Sequence, residues 1–131
     1  MGKEHTGGCF CGQFKYVIEE EIESAGLCHC ENCRKAIGAQ AVAWVLLKKD
    51  HFRVVSGDLT RYQTPTGAWR GFCPACGTSV SYESPKRLDE IDITTGTLDH
   101  PEAFPPEWDA FDDEKIPWVP KARPDQKGIG S

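Results

Sequence analysis

Cys28-His29-Cys30-Glu31-Asn32-Cys33 places three thiols in one short segment. The other four cysteines of the chain fall into two motifs, Cys9-Phe10-Cys11 and Cys73-Pro74-Ala75-Cys76. Clustering of this kind is the mark of thiolate metal sites rather than of cysteines scattered through a core. A disulfide framework expects an even cysteine count and a secretory leader. Here the count is 7, and the opening Met1-Gly2-Lys3-Glu4-His5-Thr6-Gly7-Gly8 lacks the apolar centre of a signal peptide. The chain therefore reads as a cytoplasmic protein with reduced, metal-binding cysteines. Its longest strongly apolar run, residues 41–47, is too short to cross a bilayer, so no membrane association is expected. A net charge of −5 lacks the basic footprint of a nucleic-acid-binding protein. With 131 residues and few aliphatic side chains, one small domain with a thin core is expected, stapled by metal.

Geometry constrains how the thiols are shared. Side chains two apart in an extended segment point to one side, so Cys9 and Cys11 can chelate a single ion. Cys73 and Cys76 span a turn whose next residue, Gly77, is free to adopt positive φ. Two pairs complete a four-coordinate site, which leaves Cys28, Cys30 and Cys33 as a trio with one open position. A zinc-ribbon division, Cys30/Cys33 with Cys73/Cys76, is the competing reading. Its interval is about twice the usual span of roughly 15–20 residues, and it strands Cys9, Cys11 and Cys28.

The remainder reads as mainly β. Phe14, Tyr16, Ile18 and Ile22 alternate with Lys15, Val17, Glu19 and Glu21 as a half-buried strand. Residues 41–47 read as a more deeply buried strand, and 61–63, 69–72, 79–82 and 90–95 as shorter ones. Gly57-Asp58, Thr66-Gly67 and Ser84-Pro85 supply turns. Residues 31–37, closed by Gly38, and a turn near Asp50 are the helical segments. The polar stretch 121–131 reads as a loose tail.

Three motifs in order, Gly8-Cys9-Phe10-Cys11-Gly12, Cys28-His29-Cys30-Glu31-Asn32-Cys33-Arg34-Lys35 and Phe72-Cys73-Pro74-Ala75-Cys76-Gly77, resemble the glutathione-dependent formaldehyde-activating enzyme family. That family is also called the centromere protein V/formaldehyde-activating domain. Gly96-Thr97-Leu98-Asp99-His100-Pro101 and Trp118 resemble its C-terminal part, so the resemblance spans about residues 7–120. It implies antiparallel sheets clamped by zinc, the β-tent type. It also implies two Zn²⁺ ions, one structural on Cys9, Cys11, Cys73 and Cys76, and one catalytic on Cys28, Cys30 and Cys33. The implied activity is that of a carbon–sulfur lyase, the S-(hydroxymethyl)glutathione synthase type, with glutathione or another thiol and a small aldehyde as partners.

An open tri-thiolate zinc is a weak Lewis acid, because its ligands leave it with net negative charge. It suits capture of an incoming thiol as thiolate, below the ordinary thiol pKa of about 8.5. A nearby cation should help, and Arg34 and Lys35 follow the trio directly; Arg34 is the candidate to meet a substrate carboxylate. His29, between two ligands, should point away from the ion and serve packing. Trp44, Trp69, Trp108 and Trp118 read as core or rim residues. The alternative function is a non-catalytic zinc module whose trio is closed by a partner or by Asp109, Asp112, Asp113 or Glu114.

Overall fold

Val42, Trp44 and Leu46 face one way and Val45 and Leu47 the other, so a single strand feeds two separate apolar clusters. The computed structural model describes residues 3–123. Its strands are β1 (Glu4–Gly8), β2 (Lys15–Glu19), β3 (Ser24–Cys28), β4 (Val42–Lys48), β5 (Phe52–Ser56), β6 (Thr60–Gln63), β7 (Trp69–Phe72), β8 (Ser79–Glu83), β9 (Glu90–Thr94) and β10 (Asp109–Ala110). One α-helix, α1 (Glu31–Ile37), lies between β3 and β4. Strands β1, β2 and β5 form a small sheet, and the other seven form a large one in the order β10-β3-β4-β9-β8-β7-β6. Every pairing is antiparallel except that of β10 with β3.

The larger cluster lies where the two sheets face each other. Phe14, Tyr16 and Ile18 meet Val45, Leu47, Ile91 and Ile93 there, with Cys9 and Cys73 at its edge. The smaller cluster lies on the opposite face of the large sheet, where Trp44 and Val42 pack on Cys28 and Cys33 beneath α1. The mainly β, single-domain reading holds, and α1 and its closure by Gly38 at φ +76° fall where the sequence puts them. A 3₁₀ turn, Lys49–His51, occupies the turn expected near Asp50.

Two expectations are corrected. The strand read over residues 14–22 ends at Glu19, because Glu20 adopts a left-handed φ of 69° that breaks the pleat. The tail expected from residue 121 begins as bound chain: the backbone N–H groups of Ala122 and Arg123 donate to Asp109 at 2.8 and 3.1 Å. Residues 124–131 of that expected tail lie outside the described residues. No helix among the described residues is long and apolar enough to cross a membrane.

Candidate metal centres and the cavity beside them

The expected four-plus-three division of the cysteines is the one the fold assembles, with all seven as free thiols. In the first group, Cys9 and Cys11 sit just beyond β1, and Cys73 and Cys76 in the β7–β8 connection, so the group ties the small sheet to the large one. Gly77, at φ +82°, turns its N–H back to the Cys73 carbonyl at 2.8 Å and closes the knuckle. The four sulfurs lie within 4.8 Å of one another, with Cys9–Cys11 at 3.6 Å and Cys11–Cys73 at 3.9 Å. A tetrahedral ion with metal–sulfur bonds of about 2.3 Å holds its sulfurs about 3.8 Å apart, so the spacing fits a four-coordinate ion. Donors already serve these sulfurs: the Phe14 N–H reaches Cys9 Sγ at 3.3 Å, and the Thr78 hydroxyl lies 3.2 Å from Cys76 Sγ. The Thr78 hydroxyl, followed by the backbone N–H groups of Thr78 and Cys11, pulls the Cys76 thiol down to about 5.

The second group comes from one stretch of chain. Cys28 ends β3, Cys30 caps α1, and Cys33 lies in its first turn. Cys28 and Cys30 sulfurs are 3.4 Å apart, and the Cys33 N–H donates to Cys30 Sγ at 3.3 Å. Hydrogen bonds from Cys28 and Cys33 lower the Cys30 pKa, assisted by that N–H and by the charge of Arg70. Cys30 is thus the thiolate of the trio that its neighbours favour most. Three sulfurs within 4.8 Å can hold an ion and leave one position of a tetrahedron unfilled. Among the described residues no histidine or carboxylate joins either group.

The trio opens onto a cavity of about 640 Å³. Strand register lays out its floor: Leu46 pairs with Asp92, Asp92 with Tyr82, and Tyr82 with Arg70, one row across four neighbouring strands. Trp44 and Trp108 add an aromatic wall, and Glu31 and Glu114 are the carboxylates nearest α1. Trp108 can lie flat on β3 only because Gly26 has no side chain; a Cβ there would overlap its ring. Arg70 Nη2 donates to Cys33 Sγ at 3.7 Å, and its guanidinium stacks on Tyr82 with 4.7 Å to the ring centre.

The other residues singled out in the sequence fall as follows. His29 is fully buried, its Nε2 2.7 Å from Asp109 Oδ1, which agrees with a packing role. Burial pushes the Asp109 carboxyl up, but hydrogen bonds from His29, Ala122 and Arg123 outweigh it and hold the group below the usual carboxylate range. Asp109 is thereby committed to a latch that fixes β10, and the cavity wall with it, against β3. Asp112 pairs with Lys121 at 2.9 Å, and Glu114 accepts the Glu31 N–H at 2.8 Å. Arg34 Nε donates to the His29 carbonyl at 3.2 Å, and Arg34 does not line the trio's cavity. Lys35 makes an exposed ion pair with Glu31. Sequence reasoning missed Arg70 and Tyr82 as neighbours of the trio and treated Trp108 only as core or rim. Arg70 and Tyr82 are cross-strand partners, a relation visible only once register is known.

The family model described as "glutathione-dependent formaldehyde-activating enzyme" matches residues 4–114 of the chain. The fold is similar to the crystal structure of a Rhodobacter sphaeroides protein determined as a structural-genomics target. That likeness has a TM-score of 0.61 and 27% identity, covering 72% of this chain and 87% of the other. No curated protein matches the chain. The extent of the family match, which takes in all three cysteine motifs, shows that the chain belongs to the glutathione-dependent formaldehyde-activating enzyme family.

Proposed function

We propose that this chain is a zinc-dependent carbon–sulfur lyase-type enzyme that joins a thiol to a small aldehyde, or releases it. Family membership makes glutathione and formaldehyde the first pair to consider. One observation carries the reading: four sulfurs fill a tetrahedral shell, whereas three leave a position beside a cavity of about 640 Å³. On this reading Cys9, Cys11, Cys73 and Cys76 hold a structural zinc, and Cys28, Cys30 and Cys33 a catalytic one. Zinc bound by the trio would supply a site at which a thiol rests as thiolate.

The protein's own residues provide the surroundings for that chemistry. The Cys33 N–H fixes Cys30 Sγ, and Arg70 offsets the negative charge that builds up on the sulfurs. Trp44, Tyr82 and Trp108 shield the thiol and aldehyde from bulk water. The His29–Asp109 latch holds the trio's loop against the wall that carries Trp108. In the joining direction a bond forms between the thiol sulfur and the aldehyde carbon, and the thiol proton ends on the new hydroxyl oxygen. Atoms and electrons balance with these two substrates alone.

Nuclear magnetic resonance exchange measurements on a glutathione–formaldehyde mixture test the reading. Zinc-loaded protein should speed interconversion of the free thiol and its S-hydroxymethyl adduct, and a folded Cys30→Ser variant should lose that acceleration. Equal rates with and without protein, across several thiols and small aldehydes, would contradict the reading and favour a non-catalytic zinc module.

A further inference from the structure

A second cavity, of about 480 Å³, shares Asn32, Trp44, Arg70 and Tyr82 with the first. Its other walls are hydroxyl-rich and apolar, with Thr64, Thr66, Ser79 and Ser81 beside Tyr62 and Phe72. The two cavities differ in charge. The trio's cavity carries Glu31, Asp92 and Glu114 against Arg70 and Arg87, with Arg87 and Asp92 paired to each other, whereas Arg70 is the one charged side chain among the residues lining the second.

Arg70 also differs from Arg61 in β6 and Arg87 in the β8–β9 connection. Arg61 pairs with Glu83 at 3.2 Å, and Arg87 is taken up by Asp92 at 2.8 Å and Glu90 at 2.9 Å. Arg70 has no carboxylate within ion-pair distance among the described residues. Its recorded partners are Cys33 Sγ and the face of Tyr82. A guanidinium has five N–H donors in a planar fork, and stacking on Tyr82 occupies its face rather than its edge. One donor is used on Cys33, so the remaining edge can donate two hydrogen bonds to a carboxylate.

We propose that the second cavity is a subsite for a carboxylate-bearing arm of the thiol substrate, with Arg70 as the residue that recognises the carboxylate. The inference rests on the thiol-binding reading of the trio and deepens it. The sulfur lies at Cys28, Cys30 and Cys33, and the carboxylate arm runs past Arg70 into the cavity free of acidic side chains. Any ammonium on the substrate faces Glu31 and Glu114. The substrate class is a small thiol acid, and an uncharged thiol of equal length is discriminated against.

Calorimetric titration of the zinc-loaded protein with mercaptopropionate and with uncharged mercaptopropanol tests this. Wild type should favour the acid by roughly ten- to a hundredfold, the worth of a charge-assisted hydrogen-bonded pair. Arg70→Gln should abolish the preference, Arg70→Lys should restore part of it, and Arg34→Gln should leave it intact. Thr66→Asp, at an exposed turn on the second cavity's wall, places a competing carboxylate there and should reduce the preference without weakening mercaptopropanol. That variant keeps the test decisive if Arg70→Gln does not fold. Failure of both thiols to bind wild type overturns the thiol-binding reading itself. Equal affinity for the two thiols, or a preference untouched by Arg70→Gln and Thr66→Asp, overturns the subsite alone.

Discussion

The two cysteine groups use the same ligand atom for opposite mechanical ends. The four-sulfur group is built from segments far apart in sequence, one beyond β1 and one between β7 and β8, and joins two sheets. Cys9 and Cys73 also belong to the apolar cluster between those sheets. The three-sulfur group is local, drawn from the end of β3 and the start of α1, and bridges no sheets. A metal that closes a long loop removes much conformational freedom from the unfolded chain, while one bound within a short segment removes little. The number of sulfurs follows the same division: four would complete a tetrahedral shell, and three would leave a gap.

The largest expected effect breaks this contrast outright. Cys73→Ser should abolish cooperative folding, because a structural zinc is worth about 10–16 kcal/mol and whole domains are stable by only about 5–15 kcal/mol. Cys30→Ser should remain folded, with a melting transition by circular dichroism far nearer to wild type. Equal melting of the two variants, both close to wild type, would remove the distinction between staple and open site.

Smaller changes sharpen the contrast on the trio's side. Asp109→Asn weakens the buried latch to His29 and should cost about 1–3 kcal/mol. Asp109 is held below the usual range, so its carboxylate stabilises the fold above its unfolded pKa of about 3.9. That stabilisation fades as pH falls through the folded value, so the gap between wild type and Asp109→Asn should narrow in acid. Melting curves at neutral and acid pH check both the size and the sign. Gly26→Ala pushes a methyl into Trp108 and should destabilise by about 1–3 kcal/mol while weakening thiol binding in the adjacent cavity. The least consequential change is Lys35→Ala. Its exposed pair with Glu31 contributes at most about 0.5 kcal/mol, so chemical denaturation should barely shift.

Much of the molecule was legible because its chemistry is local. The thiol grouping follows from motif spacing, α1 from its placement between Cys30 and Gly38, and β4 from a continuous apolar run. Strands β1, β5 and β10 were missed and β3 was expected only as a strand end at Cys28, and the four share a physical cause. Ser24–Cys28 is small and Gly-containing, Phe52–Ser56 is mostly exposed, and Asp109–Ala110 exists only through its pairing with β3. None of them carries an apolar period of its own. The cavity was illegible for a related reason. Arg70, Tyr82, Asp92 and Leu46 form one row only through inter-strand register, and Trp108 reaches it only by lying over Gly26. The residues beside Arg34 in sequence drew attention to it, yet its guanidinium turns to the His29 carbonyl and Arg70 takes the place next to Cys33.

Cobalt substitution at both sites, followed by titration with glutathione, probes the difference between the two groups directly. Thiolate-to-cobalt charge-transfer absorption should rise by the increment of one added sulfur ligand per chain, and the ligand-field bands of one ion alone should change. The same titration of a folded Cys30→Ser variant should give no such rise. A spectrum unmoved by glutathione, mercaptopropionate and mercaptopropanol, with both ions bound, would mean that the trio is not an open thiol site.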